Sequence, residues 1–291
     1  MQFKKLIFLF TILAFLAACS TSKLTTTSRT NAINFENTDN YLEAANAWNQ
    51  FFLQTPVEET AAEDFAHAAL TAYKAGNTQQ AISWYDQARY KDYASPEMYE
   101  TLAKIYKSED NLSKELSSLE TYTEKFGNGN AAVNARLFSL YSQIDDTEKA
   151  LQYWNLMNES GRTEEANMVD YLLVNKKLEK DAVCDSVANE IIKVDPNQTE
   201  ALDWLAKKYY WAGQNRYTSE MQKYEENKTR KQYNVLLKEL DQVTADFKKA
   251  LPYLEKLWKQ NPTKEYASYF VNIYARFGDE EKVKYYQQRM K

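Results

Sequence analysis

The chain is poor in the residues that build most active sites and metal centres. It has one histidine, His67, and two cysteines, Cys19 and Cys184, among 291 residues. A serine or cysteine nucleophile needs a base, usually histidine, within hydrogen-bond reach. A zinc site needs several histidine or cysteine ligands close together. The sequence therefore predicts a protein that is not an enzyme and that binds no metal.

Glycine and proline are also scarce, with six and five residues. Loops that cradle nucleotide phosphates need closely spaced glycines, and Gly127-Asn128-Gly129 lacks the Lys-Ser/Thr that would follow in such a loop. From about residue 40 onward, apolar residues recur with the 3.6-residue period of a helix and never alternate as in a strand. We therefore expect no cofactor and an all-α fold.

Basic residues do not dominate the charge. The chain has 36 Lys and Arg against 41 Asp and Glu, a formal net charge of −5. A protein that binds nucleic acid uses clustered lysine and arginine to displace counterions from the phosphates, and the sequence has no such stripe. Nucleic acid is therefore not an expected partner.

The N-terminus has the pattern of a secretory signal peptide over residues 1–18. Lys4 and Lys5 precede an apolar stretch, residues 6–18, that is interrupted only by Thr11. This stretch is shorter than the roughly 20 residues that a membrane-spanning helix needs. It ends in Leu16-Ala17-Ala18-Cys19, which resembles the lipobox of bacterial lipoproteins. The resemblance implies cleavage before Cys19 and attachment of lipid to its side chain.

The segment after Cys19 is polar and has no helical period. It predicts a flexible tether over residues 19–39. Ser20, directly after the lipidated cysteine, resembles the outer-membrane signal of Gram-negative lipoproteins, and an acidic run like the surface-export signal of Bacteroidota is absent. The resemblance implies a lipid anchor in the outer membrane, with the folded part on the periplasmic face.

A helical pattern then recurs about every 34 residues, as in repeat proteins. A small residue is followed by large apolar residues four and seven positions later and then by proline, most clearly in Ala44-Trp48-Phe51-Pro56 and Ala250-Leu254-Leu257-Pro262. The small residue indicates where a second helix packs closely on a first. The small-residue positions are Ala44, Ala81, Glu115, Ala150, Cys184, Ala250 and Val283.

The ends of the helices are predicted by turn residues. Glycine and the Asp/Asn pair accept the left-handed backbone at a helix C-terminus, and proline cannot continue a helix. First helices are expected to end at Gly76, at Asp110-Asn111 and at Gly213, and second helices before Pro56, Pro196 and Pro262.

These residues resemble the tetratricopeptide repeat over residues 40–291, although Glu115 stands where alanine is usual. The resemblance implies a solenoid of about six to seven antiparallel helix pairs. Repeats are expected over residues 40–213, and a C-terminal repeat with capping helices over residues 250–291. Between them, residues 214–249 are predicted to form an inserted helical hairpin with a solvated tip near residues 227–230.

The stretch 207–262 also resembles an extended repeat of Bacteroidota lipoproteins. Its apolar spacing predicts that the second helix starts early and runs about 25 residues. The alternative is a loop elaboration that has no function of its own.

The resemblance implies that partners bind on the concave face, which the first helices of such arrays line. Trp204, Tyr210 and Trp211 are the predicted anchors, because tryptophan, tyrosine and arginine dominate the energy of interfaces. Alternatively, these aromatic side chains pack against the inserted hairpin. The residues predicted to face a partner are His67, Tyr73, Lys104, Arg136, Trp204, Lys207, Tyr210, Trp211 and Arg276.

Together these features predict a lipid-anchored scaffold for protein–protein interactions in the cell envelope, whose partners are envelope proteins or peptides. The alternative is a lipoprotein that binds glycan or peptidoglycan on an aromatic concave platform. The repeats by themselves do not decide between these functions.

Overall fold

The computed structural model describes residues 27–290, and the regular elements in this part of the chain are helices without any strand. This confirms the predicted all-α fold. The predicted signal peptide and Cys19 lie outside the described residues. The α-helices are α1 (27–36), α2 (Tyr41–Gln54), α3 (Ala62–Lys74), α4 (Thr78–Tyr90), α5 (Pro96–Ser108), α6 (Leu112–Phe126), α7 (Ala131–Gln143), α8 (Thr147–Leu156), α9 (Glu159–Thr163), α10 (Glu165–Lys177), α11 (Asp181–Val194), α12 (Thr199–Glu226), α13 (Arg230–Gln260), α14 (Lys264–Phe277) and α15 (Glu280–Gln287).

The chain divides into two compact units at residues 133 and 134. In the first unit, α3 pairs with α4 and α5 with α6, and α2 packs on α3. In the second unit, α10 pairs with α11, α12 with α13 and α14 with α15. Pairs that follow one another also touch, since α11 packs on α12 and α13 on α14. Each unit is thus a stack of helix pairs.

Most of the predicted helix ends agree with the structure. Gly76 follows α3 with a φ of 82°, and Asp110 follows α5 with a φ of 52°. Both angles are left-handed, as the prediction requires. Pro56, Pro196 and Pro262 each lie two residues beyond the end of a second helix. These helices therefore end at the positions that the glycine, Asp/Asn and proline residues predicted.

The predicted small-residue positions lie in the core. Five of them, the four alanines and Cys184, have no exposed surface, and Glu115 is also buried. Val283 is half-buried against the core around Phe270. A small side chain at this position lets the second helix approach the first closely. This explains why the pattern recurs although the overall sequence of each repeat differs.

The tether predicted for residues 19–39 is wrong over residues 27–36, which form α1. The guanidinium of Arg29 donates to both carboxylate oxygens of the buried Asp64, at 3.0 Å and 3.1 Å from Nε and 2.8 Å from Nη2. Glu36 accepts from Trp48 Nε1 at 2.6 Å and from the Thr71 hydroxyl. The partners of Arg29 and Glu36 lie at least 12 positions away in the sequence. The polar composition of residues 27–36 alone therefore did not indicate a helix.

The prediction that a first helix ends at Gly213 is also wrong. α12 continues without a break to Glu226, because the glycine serves a packing contact and does not form a turn. A Cβ atom at Gly213 would lie 3.0 Å from two ring atoms of Phe247, so the absence of a side chain lets α13 come close. The backbone of Gly213 is not left-handed.

The helices α12 and α13 are the longest in the described part of the chain, with 28 and 31 residues. They are joined by residues 227–229, within the segment predicted as a solvated tip. Arg216 of α12 ties the two helices together, because it donates to Glu239 at 2.9 Å and to the buried Asp246 at 3.4 Å. That residues 214–249 are an insertion into a repeat stays a prediction.

Among residues 27–290, no helix combines the length and the apolar character that crossing a membrane requires.

Candidate functional site

A groove on the second unit brings together two of the predicted anchor residues. One wall is a stripe along α12, and the other is formed by the end of α10 and the start of α11. The groove has a volume of ≈ 470 Å³. Its lining residues are Lys176, Asp181, Asp185, Trp204, Lys207, Lys208, Trp211, Ala212 and Asn215.

Trp204 is held in one orientation by a carboxylate of α11. Its Nε1–H donates to Asp185 Oδ1 at 2.9 Å. The other oxygen of Asp185 pairs with Lys208 Nζ at 2.6 Å. A side chain that is fixed before binding loses little conformational entropy when a partner arrives. Trp204 is therefore a preorganised contact surface.

Trp211 lies on the same side of α12, two helical turns further on, and is 47% exposed. Its ring system packs nearly perpendicular to the rings of Tyr210 and Tyr269, with centroid distances of 5.1 Å and 6.5 Å. Its indole N–H has no hydrogen-bond partner among residues 27–290. A tryptophan that combines an apolar body with an open donor suits recognition of a partner's backbone.

Lys207, which lies between Trp204 and Trp211 on α12, forms ion pairs with two carboxylates. Its amino group lies 2.9 Å from Asp203 and 3.0 Å from Glu265 of α14. Burial works to lower the pKa of Lys207, but its hydrogen bonds to these two carboxylates raise that pKa above its ordinary value. Lys207 therefore stays charged and links α12 to α14.

The same network shifts the groups on α14. The hydrogen bonds from Lys207 and from the Tyr269 hydroxyl lower the pKa of Glu265. Burial and the neighbouring Asp203 raise the pKa of Tyr266 to about 12, and its hydroxyl lies 3.3 Å from Asp203. These groups therefore keep fixed protonation states near neutral pH.

The remaining charges of the groove are less engaged. Asp181 is exposed at the start of α11, and its carboxylate makes no ion pair or hydrogen bond with residues 27–290. Lys176 lies 4.0 Å from Asp203 and is exposed. The groove therefore combines two tryptophans, a floor of paired charges, the exposed Lys176 and the unpaired carboxylate of Asp181.

Tyr210 does not line the groove, which corrects its prediction as an exposed anchor. The side chain is 2% exposed and packs on Phe247 and Tyr269 in the core of the second unit. Its hydroxyl accepts from Asn272 Nδ2 at 2.8 Å. Because Tyr210 and Trp211 are adjacent on a helix, they point in different directions, and only Trp211 is accessible.

Two other predicted residues of the second unit lie away from the groove. The guanidinium carbon of Arg276 lies 3.2 Å from the ring centroid of Tyr217, a cation–π contact. Arg136 is half-buried on α7, and its charge acts on Asp170 of α10. Burial raises the pKa of Asp170, while Ser139 and Arg136 oppose that rise.

Two of the three predicted residues of the first unit, His67 and Lys104, are exposed. His67 lies on α3 beside a small cleft of ≈ 60 Å³ that is also lined by Tyr85 and Glu97. Lys104 is exposed on α5, and Tyr73 is half-buried near the end of α3. None of these three joins the groove of the second unit. Their assignment to a partner-binding face stays a prediction.

Sequence reasoning missed Ala212 and five charged or polar residues that line the groove. Lys208 and Asn215 follow Trp204 and Trp211 at helical spacing, so a longer reading of that periodicity would have found them. The other three come from α10 and α11, and only the packing of α11 on α12 brings them close. They are Lys176, Asp181 and Asp185.

Within residues 27–290, no three His, Cys, Asp or Glu side chains are grouped so that they could hold a metal ion.

Comparison with known proteins shows the fold. No protein-family model matches the chain, and no curated protein matches it in sequence. Among solved structures, the C-terminal part of a TPR repeat-containing protein from Cytophaga hutchinsonii is similar, with a TM-score of 0.51 and 13% identity over 90% of this chain and 93% of that one.

A second similar structure is YrrB, described as a TPR protein with an unusual peptide-binding site. It has a TM-score of 0.51 and 12% identity, covering 65% of this chain and 96% of that one. At such low identities the likeness concerns the fold alone. The chain has the fold of tetratricopeptide-repeat proteins, as its repeats predicted.

Proposed function

We propose that this chain, which has the fold of the tetratricopeptide-repeat proteins, is a lipid-anchored scaffold that binds other proteins of the bacterial cell envelope. The observation that carries the proposal is the groove lined by Trp204 and Trp211. Trp204 and Trp211 are aromatic residues on either side of charged side chains in this groove. Aromatic residues of this kind contribute much of the binding energy at protein interfaces. The peptide-binding site of YrrB supports the same kind of partner.

The location in the envelope rests on the sequence of the N-terminus. The apolar stretch ending in Leu16-Ala17-Ala18-Cys19 resembles a lipobox and implies that Cys19 carries lipid. Replacing Cys19 with alanine should move the protein out of the outer-membrane fraction or leave its signal peptide uncleaved. Unchanged processing and fractionation of that variant would contradict the lipid anchor.

Partner binding is tested by capture from cells after mild crosslinking. We expect the unmodified chain to retain specific envelope proteins and the Trp211→Ala variant to lose them. Tyr233→Ala is the matched control, because Tyr233 is 45% exposed on α13 and does not line the groove. Failure to recover any envelope protein above background, or equal recovery with Trp211→Ala, would contradict the proposal.

Binding of glycan is the second candidate function, because the same groove combines indole faces with the polar side chains of Asp181 and Asn215. Sugars stack on such faces and hydrogen-bond to such groups. A shift in tryptophan fluorescence with oligosaccharides, absent in Trp204→Ala, would favour this candidate. An unchanged spectrum over a wide concentration range would eliminate it.

A further inference from the structure

We infer that the groove recognises an extended, proline-bearing segment in the polyproline II conformation, with a basic residue near one end. This inference rests on the proposed function and names the chemistry of the partner. It is carried by the spacing of the two indoles, by the open donor of Trp211 and by the arrangement of charge around them.

The indoles are spaced to match a polyproline II helix. Trp204 and Trp211 are seven residues apart on α12, which places them on one side of the helix at about 10.5 Å along its axis. A polyproline II segment has three residues per turn and rises about 9.3 Å per turn. Two prolines three residues apart would therefore each meet one indole face.

Both sides of this contact are ordered in advance. Asp185 fixes Trp204, and Tyr210 and Tyr269 support Trp211. A polyproline II segment is itself stiff and has no internal hydrogen bonds, so its carbonyl groups are free to accept. The N–H of Trp211, which has no hydrogen-bond partner among residues 27–290, is available to donate to such a carbonyl. Aromatic-lined grooves recognise proline-rich segments in this way.

The charges favour a basic residue in the segment. Lys207 and Lys208 form ion pairs of 3.0 Å or less with neighbouring carboxylates. Lys176 lies 4.0 Å from Asp203. Asp181, by contrast, makes no ion pair or hydrogen bond with the described residues. An acidic side chain of the segment would compete with the carboxylates that already pair with Lys207 and Lys208. A basic side chain would instead form an ion pair with Asp181. The middle of the groove disfavours an apolar helix, because the inner side chains of that helix would cover the charged groups of both lysines.

The test is calorimetric titration of the purified full-length chain with a synthetic peptide. The peptide carries proline at positions three residues apart and arginine at both ends. One comparison peptide has glycine in place of the prolines, and another has glutamine in place of the arginines. We expect the proline peptide to bind and the glycine peptide to bind at least about tenfold more weakly, because it must be ordered on binding.

Variants assign the binding to the groove. Trp211→Ala should weaken binding of the proline peptide by about tenfold or more, as loss of an aromatic anchor does. Asp181→Asn should weaken binding of the arginine peptide and leave the glutamine peptide unaffected. Tyr233→Ala should behave like the unmodified chain.

The outcomes separate this inference from the proposed function. If envelope proteins are captured in a Trp211-dependent manner but the proline peptide does not bind, or binds no better than the glycine peptide, the inference is wrong and the scaffold function stands. A captured partner that binds through a helical segment would also overturn the inference. If capture fails and the peptides do not bind, both are wrong.

Discussion

At Gly213 a single missing side chain decides how closely two helices pack. The residue lies inside α12 and faces the ring of Phe247, which is completely buried. Glycine inside a helix costs about 1 kcal/mol relative to alanine, so its presence there needs a compensating contact. The close approach of Phe247 provides that contact.

Replacing Gly213 with alanine should destabilise the protein. The added Cβ would lie 3.0 Å from Cδ1 and Cε1 of Phe247, so this completely buried ring would have to move by a few tenths of an ångström against its neighbours. Overpacking of this kind costs about 1–3 kcal/mol, which exceeds the gain in helix propensity. Urea denaturation followed by circular dichroism measures the change. Gly129→Ala is the control, because nothing lies within 4 Å of a Cβ there; a rise in stability for Gly213→Ala would refute the packing argument.

The ion pair of Glu265 makes stability depend on pH. Hydrogen bonds from Lys207 and Tyr269 lower its pKa in the folded state, so the unfolded chain binds the proton more readily. The stabilisation is complete above the unfolded pKa of about 4.3 and is lost as the pH falls through the folded pKa.

Glu265→Gln should therefore reduce the loss of stability between about pH 5 and pH 3. The measurement is the free energy of unfolding of the variant and of the unmodified chain across this range. Glu255→Gln, at an exposed position of α13, is the control and should leave the slope unchanged. Parallel pH curves for Glu265→Gln and the unmodified chain would show that this ion pair does not contribute.

At the scale of elements, α1 shows how a polar segment becomes an ordered helix. Arg29 and Glu36 lie on the same helix and each finds partners more than ten residues away. Ala32 between them is completely buried, so α1 also packs closely. The helix is stabilised by these tertiary contacts, because an isolated helix of this length is marginal in water.

Removing Arg29 should loosen α1. In Arg29→Ala the buried carboxylate of Asp64 loses its partner, at an expected cost of about 1–2 kcal/mol. Hydrogen–deuterium exchange should become faster in residues 27–36. Arg89→Ala is the control, because its ion pair with Asp86 lies on the surface of one helix and is expected to contribute little. Unchanged exchange in α1 would contradict the role of this pair.

At the scale of the whole molecule, the chain consists of two compact units that each have their own buried residues. Stability in repeat proteins is approximately a sum of repeat and nearest-neighbour terms, so distant repeats unfold with partial independence. A single free energy of unfolding then describes neither unit completely.

Phe247→Ala tests this independence. Loss of a buried phenylalanine costs about 3–5 kcal/mol, and the effect should concentrate in the second unit. We expect faster hydrogen–deuterium exchange in α12, α13 and α14, and unchanged exchange in α3 to α6. Equal loss of protection in both units would instead show that the molecule unfolds as one cooperative body.

Local chemistry determined a large part of this structure. Several signals depend only on nearby residues: helical periodicity, small residues such as Ala44 and Ala250, the left-handed turn at Gly76 and the helix ends before proline. The sequence by itself therefore predicted the helices, their pairing and the repeat fold. Tertiary structure decided the rest. Whether residues 27–36 are ordered, whether Gly213 is a turn or a contact, and which of Tyr210 and Trp211 is exposed depend on residues distant in sequence. The groove has the same origin, because Asp181 and Asp185 reach the tryptophans of α12 only when α11 packs against that helix.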